Sequence, residues 1–102
     1  MRLSEKNLLA IKESFVQVFL PDDHLWLFGS RVDDTKKGGD IDLYVETHLN
    51  TWKEILQKKR DLSVAIQLRI GEQKIDIVIK SLKIGEHLAI FDEARKTGIL
   101  LV

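Results

Sequence analysis

The sequence has no cysteine, a single proline and no excess of charge of either sign. The missing cysteine excludes a disulfide framework, a zinc–thiolate site and a thiol nucleophile. Sixteen Lys and Arg balance sixteen Asp and Glu, which argues against a protein whose main task is to coat nucleic acid by neutralising phosphates. No apolar run approaches the ~18 residues needed to span a bilayer, so no membrane partner is expected. The N-terminus is charged early, at Arg2, Glu5 and Lys6, and lacks the apolar core of a signal peptide. A cytoplasmic location is the corresponding expectation. With one proline and six glycines there is no linker, repeat or low-complexity tract, and 102 residues are read as a single domain, 1–102.

The periodicities predict an α/β chain. Ser4 to Phe19 reads as an amphipathic helix with Leu8, Ile11, Phe15, Val18 and Phe19 at helical spacing, ended by Pro21-Asp22-Asp23. Leu25 to Phe28 is a short, wholly apolar strand, the pattern of a strand covered on both faces. Ser30 to Val32 can open a short helix, Asp33 to Gly39 reads as loop, and Asp40 to Glu46 is a second strand. Thr51-Trp52-Lys53-Glu54 is a capping box and starts a helix expected to run to about Asp61. Val64, Ile66, Leu68 and Ile70 then alternate with Ala65, Gln67 and Arg69. Followed by Gly71-Glu72-Gln73 and the run Lys74 to Lys80, this predicts a β-hairpin. A last helix is expected over Ile84–Thr97, stopped by Gly98, with the apolar tail Ile99–Val102 packed rather than frayed, or facing a partner. The Ser30–Gly39 connection is too short for an ordinary parallel crossover. A mixed β-sheet with flanking helices accommodates this order.

Chemistry concentrates at two points. Leu25-Trp26-Leu27-Phe28 breaks at Gly29-Ser30, where a turn can offer backbone N–H groups to an anion. The second strand opens with Asp40 and Asp42, whose period-2 spacing puts both carboxylates on one face, close enough to share a divalent cation. Asp76 lies in the last strand among Ile75, Ile77, Val78 and Ile79, where a lone buried carboxylate is costly. Brought to the same sheet face, three carboxylates repel one another at neutral pH, and a pair of Mg²⁺ ions cancels that repulsion.

Each of these residues also has a plainer reading. Asp-x-Asp alone reads as a turn or capping pair. Ser30 can simply cap a helix, and Arg31 can pair with Asp33 or Asp34. Lys36-Lys37 and Lys58-Lys59-Arg60 read as solvated surface, and Trp26, Trp52, Phe15, Phe19 and Phe91 as core or edge packing. His24, His48 and His87 show no ligand spacing.

Taken together, Phe28-Gly29-Ser30, a nine-residue spacer and Asp40-Ile41-Asp42-Leu43 resemble the signature of the DNA polymerase β-like nucleotidyltransferase superfamily, with Asp76 similar to its third carboxylate. The small size and the Gly29-Ser30-Arg31 form resemble its minimal nucleotidyltransferases. In place of the glycine that many minimal members carry after the arginine, this chain has Val32-Asp33-Asp34. The resemblance implies that Gly29, Ser30 and Arg31 bind the nucleotide phosphates and that Asp40, Asp42 and Asp76 are catalytic, ligating two Mg²⁺. The reaction it implies is transfer of AMP from ATP, or another nucleoside monophosphate, to a hydroxyl. The sequence leaves no room for the acceptor-binding domain of larger members, so the expectation is that either a partner supplies that surface or the acceptor is itself a protein. Minimal members commonly pair with a small helical HEPN-type protein as the antitoxin of a toxin–antitoxin system. The alternative is a non-catalytic module that neutralises such a partner by contact.

Overall fold

The computed structural model describes residues 4–29, 40–85 and 88–102. The expected helical start at Ser30–Val32, the loop to Gly39 with Lys36 and Lys37, and His87 lie outside the described residues. The elements are α1 (Glu5–Val18), β1 (His24–Phe28), β2 (Asp40–Thr47), α2 (Trp52–Ile70), β3 (Lys74–Ser81), α3 (Ala89–Thr97) and β4 (Ile99–Leu100). They build a mixed four-stranded sheet in the order β3-β2-β1-β4. β1 is antiparallel to both β2 and β4, whereas β2 and β3 run parallel.

Two layers of apolar residues follow from the period-2 alternation of the strands. Leu25 and Leu27 of β1, Ile41, Leu43 and Val45 of β2, and Ile77 and Ile79 of β3 face α1 and α2. There they meet Ile11 and Phe15 of α1 and Ile55, Leu62 and Ile66 of α2. On the opposite face Trp26 and Tyr44 pack with Phe91 and Ala94 of α3. β1 is thus covered on both sides, as its uninterrupted apolar run predicts. Arg69 of α2 ties the two long helices together, donating to Ser14 Oγ (3.1 Å) and Gln17 Oε1 (2.9 Å) of α1.

The expected hairpin over Val64–Lys80 is not formed. α2 continues to Ile70 and closes on Gly71, whose positive φ of 91° no side chain obstructs. The apparent strand alternation is two helical stripes superimposed. Leu62, Ile66 and Ile70 recur every fourth residue toward the sheet, while Val64 and Leu68 recur every fourth residue toward solvent, 52% and 81% exposed. A parallel β2–β3 pair also requires a crossover, and α2 supplies it.

The last helix begins five residues later than its expected start, at Ala89 rather than Ile84. Gly85 explains why: its φ of +79° is left-handed and cannot continue a right-handed helix through the expected first turn. The Ser81 hydroxyl holds the turn before it, donating to Leu49 O (2.6 Å) and accepting from the backbone N–H of Lys83 and of Ile84. The apolar tail is tied down by its backbone and packed only in part. Ile99 and Leu100 extend the sheet beside β1 with exposed side chains, Leu101 N donates to Leu25 O at 2.7 Å, and Leu101 and Val102 pack against the core. No helix among the described residues is long and apolar enough to cross a membrane.

Candidate functional site

In a parallel pair, residues in register point to the same face of the sheet. Asp42 is in register with Asp76, and Asp40 with Lys74. Asp40, Asp42, Lys74 and Asp76 are therefore placed on one face, at one end of β2 and β3. It is the face that carries Trp26 and Tyr44, but α3 covers only its middle. Asp76 remains exposed and Asp42 is half-buried. Ser30, Arg31 and the side chain of Asp40 lie outside the described residues.

Gly29 joins this end of the sheet from β1. Phe28 pairs with Asp42 across the antiparallel β1–β2 ladder, so Gly29 emerges beside it. Its φ is +79°, a left-handed conformation that side chains resist. A Cβ there would collide with Asp42 Oδ2 and stand 3.0 Å from Asp42 Cγ. The carboxylate of Asp42 thus rests on the glycine backbone. Two halves of the sequence motif are in contact, for reasons of both conformation and space.

Among the described residues, Asp42 and Asp76 set two carboxylates on neighbouring strands, one half-buried and one exposed, and oxygen donors of this kind can hold a hard cation. The hard oxygen ligands suit Mg²⁺, which keeps several of its waters and is held by a few carboxylates together with phosphate oxygens. Lys74 adds one positive charge on the same face.

Two polar clusters escaped the sequence reading. On the same sheet face, Tyr44 Oη donates to Glu46 Oε2 at 2.8 Å, and Arg95 Nη1 of α3 reaches that oxygen at 3.4 Å. The Arg95 guanidinium also lies 5.7 Å from the centre of the Trp26 ring. Burial, and then the neighbouring Glu46 carboxylate, push the Tyr44 phenol far above its ordinary value. The cluster pins α3 to β2 and holds the wall beside the carboxylates. Its only sequence signal was the continuation of Asp40 and Asp42 into Tyr44 and Glu46 at period 2.

The second cluster lies at the opposite end of β2. Asp23 is 1% exposed and accepts from Thr47 Oγ1 (2.6 Å), His48 N (2.9 Å) and Leu20 N (3.2 Å). His48 Nδ1 pairs with it at 2.9 Å. Asp23, expected only to help end α1, instead locks the turn after α1 to the exit of β2.

No family model matches this chain, and the comparison with curated proteins gives no match.

Proposed function

We propose that this domain is a Mg²⁺-dependent nucleotidyltransferase built on a polymerase β-like palm. It transfers a nucleoside monophosphate, AMP from ATP in the simplest case, to a hydroxyl and releases pyrophosphate. The observation that carries this reading is the meeting of Gly29, Asp42 and Asp76 at one open end of the sheet.

Asp40, Asp42 and Asp76 are the residues to hold the metal. Mg²⁺ held by these carboxylates would neutralise phosphate charge and supply Lewis acidity to the transfer. The remaining work falls to the chain itself. Gly29 and Ser30 are the residues assigned to the β- and γ-phosphates, through backbone N–H groups, with Arg31 adding positive charge. Gly29 holds Asp42 in one orientation by direct contact. Asp76, exposed to solvent, accepts the proton of the acceptor hydroxyl. As that oxygen bonds to the α-phosphorus, the bond from the α-phosphorus to the pyrophosphate oxygen breaks, and pyrophosphate carries away the electron pair.

The acceptor assigned here is a side-chain hydroxyl of a small helical HEPN-type protein, adenylylated as the toxin of a toxin–antitoxin pair. The test is incorporation of label from [α-³²P]ATP into such a partner by wild type, Asp42→Asn and Asp76→Asn. Each substitution is expected to lower incorporation by at least about a hundredfold, the several kcal/mol of a lost metal ligand or base. Folding is checked separately by circular dichroism. Undiminished incorporation by folded Asp42→Asn overturns the assignment.

A further inference from the structure

The face of α2 turned away from the sheet carries Val64 and Leu68, and Leu68 is the most exposed large apolar residue among those described, at 81%. A monomer gains nothing from an apolar ridge in water. Val64 and Leu68 stand between two grooves. One, of about 500 Å³, runs along α1 and is bordered by Gln17, Asp61 and Arg69. The other, of about 320 Å³, is bordered by Gln67 and Glu72. A ridge of residues four apart, flanked by grooves, is the element that packs into its own like at a crossing angle near −50°.

The charges at the two ends of the ridge select the occupant. Arg60, Val64, Leu68 and Glu72 follow one another at intervals of four, and all are exposed. The order is cation, apolar, apolar, anion. Read from the opposite direction, it becomes anion, apolar, apolar, cation. Glu72 lies past the helix end, yet borders the same groove as Val64 and Leu68. The stripe is therefore complementary to itself when antiparallel, which is the requirement of a twofold interface.

We propose that α2 is a homodimer interface, with the twofold axis between Val64 and Leu68. Val64 packs against Leu68 of the second copy, and Arg60 faces Glu72 of the second copy at both ends. One helix face is a small area, so the association is weak and falls in the micromolar range.

Sedimentation equilibrium on the full chain, over about 1 µM to 1 mM, tests this. Wild type is expected to show a monomer–dimer equilibrium, and Leu68→Glu a monomer at all concentrations. Arg60→Glu and Glu72→Arg, each placing like charges opposite one another, weaken dimerisation on the order of tenfold. The double reversal Arg60→Glu/Glu72→Arg restores complementarity and recovers the wild-type constant. All three substituted positions are exposed, and circular dichroism checks that each variant folds. A monomeric wild type overturns the proposal and leaves the ridge to a different protein. A dimer indifferent to Leu68→Glu, or a double reversal no better than the single ones, overturns it as well.

Discussion

The carboxylate of Asp42 lies against the backbone of Gly29, in the space where any other residue would carry its Cβ. The glycine is thus constrained twice, by its φ of +79° and by its neighbour. Gly29→Ala is expected to cost about 1–2 kcal/mol for the left-handed backbone and about 1–3 kcal/mol more for overpacking against Asp42. Urea denaturation of Gly29→Ala with and without Asp42→Ala separates the two. The second substitution should recover only the overpacking share. Equal losses in both backgrounds would show that the contact has no energetic weight.

Tyr44 is the one tyrosine of the chain, so its ionisation is directly visible in the ultraviolet. Its phenol is raised in the folded state, by burial first and Glu46 second. A group raised on folding contributes stability that is complete below the unfolded value near 10 and is lost as pH climbs above it. Phenolate absorbance should therefore appear only together with unfolding at alkaline pH. Tyr44→Phe should lose about 1–3 kcal/mol at neutral pH, since Glu46 is left buried with one fewer donor. Its stability should then fall less steeply above pH 10. A phenolate that titrates near its ordinary value in the folded protein would contradict the burial of this ring.

The two stripes of α2 make opposite demands on substitution. Ile66→Ala, at a fully buried position, should cost about 2–5 kcal/mol. Leu68→Ala, four-fifths exposed, should stay within about 0.5 kcal/mol at concentrations where the chain is monomeric. Thermal denaturation of the pair distinguishes a helix from the hairpin that the alternation suggests, because in a hairpin both residues would share one face.

Asp23 accepts from a side chain, two backbone N–H groups and an imidazole nitrogen while almost fully buried. Asp23→Ala leaves Thr47 and the His48 backbone without their acceptor, at an expected cost of about 1–3 kcal/mol per stranded group before relaxation. Because the cluster lies at the far end of β2, Mg-ATP binding measured by calorimetry should change little at temperatures where the variant is folded. A selective loss of binding would connect the two ends of the strand.

Much of the sheet was legible because strand side chains alternate strictly. Asp40 and Asp42 at the start of β2 indicated a shared face from period-2 spacing, whereas Asp76 meets Asp42 only through the parallel β2–β3 register, which the hairpin reading did not contain. The stretch 64–70 misled for a definite reason: residues two apart share one face of a strand, but in a helix they fall on two opposite stripes, and only burial distinguishes these. The contacts of Asp23 with Thr47 and of Arg95 with Glu46 were not legible. They join residues far apart in sequence, and no local pattern records such pairings. The late start of α3 was not legible because no local pattern records that Gly85 takes a left-handed φ of +79°, which interrupts the helix in its expected first turn.

Because Asp76 arrives opposite Asp42 by way of α2, the helix acts as a ruler for a site it does not line. Sliding β3 by one residue along β2 would turn the Asp76 carboxylate into the apolar layer and bring an isoleucine to the open face. Sliding it by two would set Lys74 or Val78 beside Asp42. An insertion or deletion within α2, or in the turn at Gly71, is therefore a change to the candidate site, though it alters no residue there.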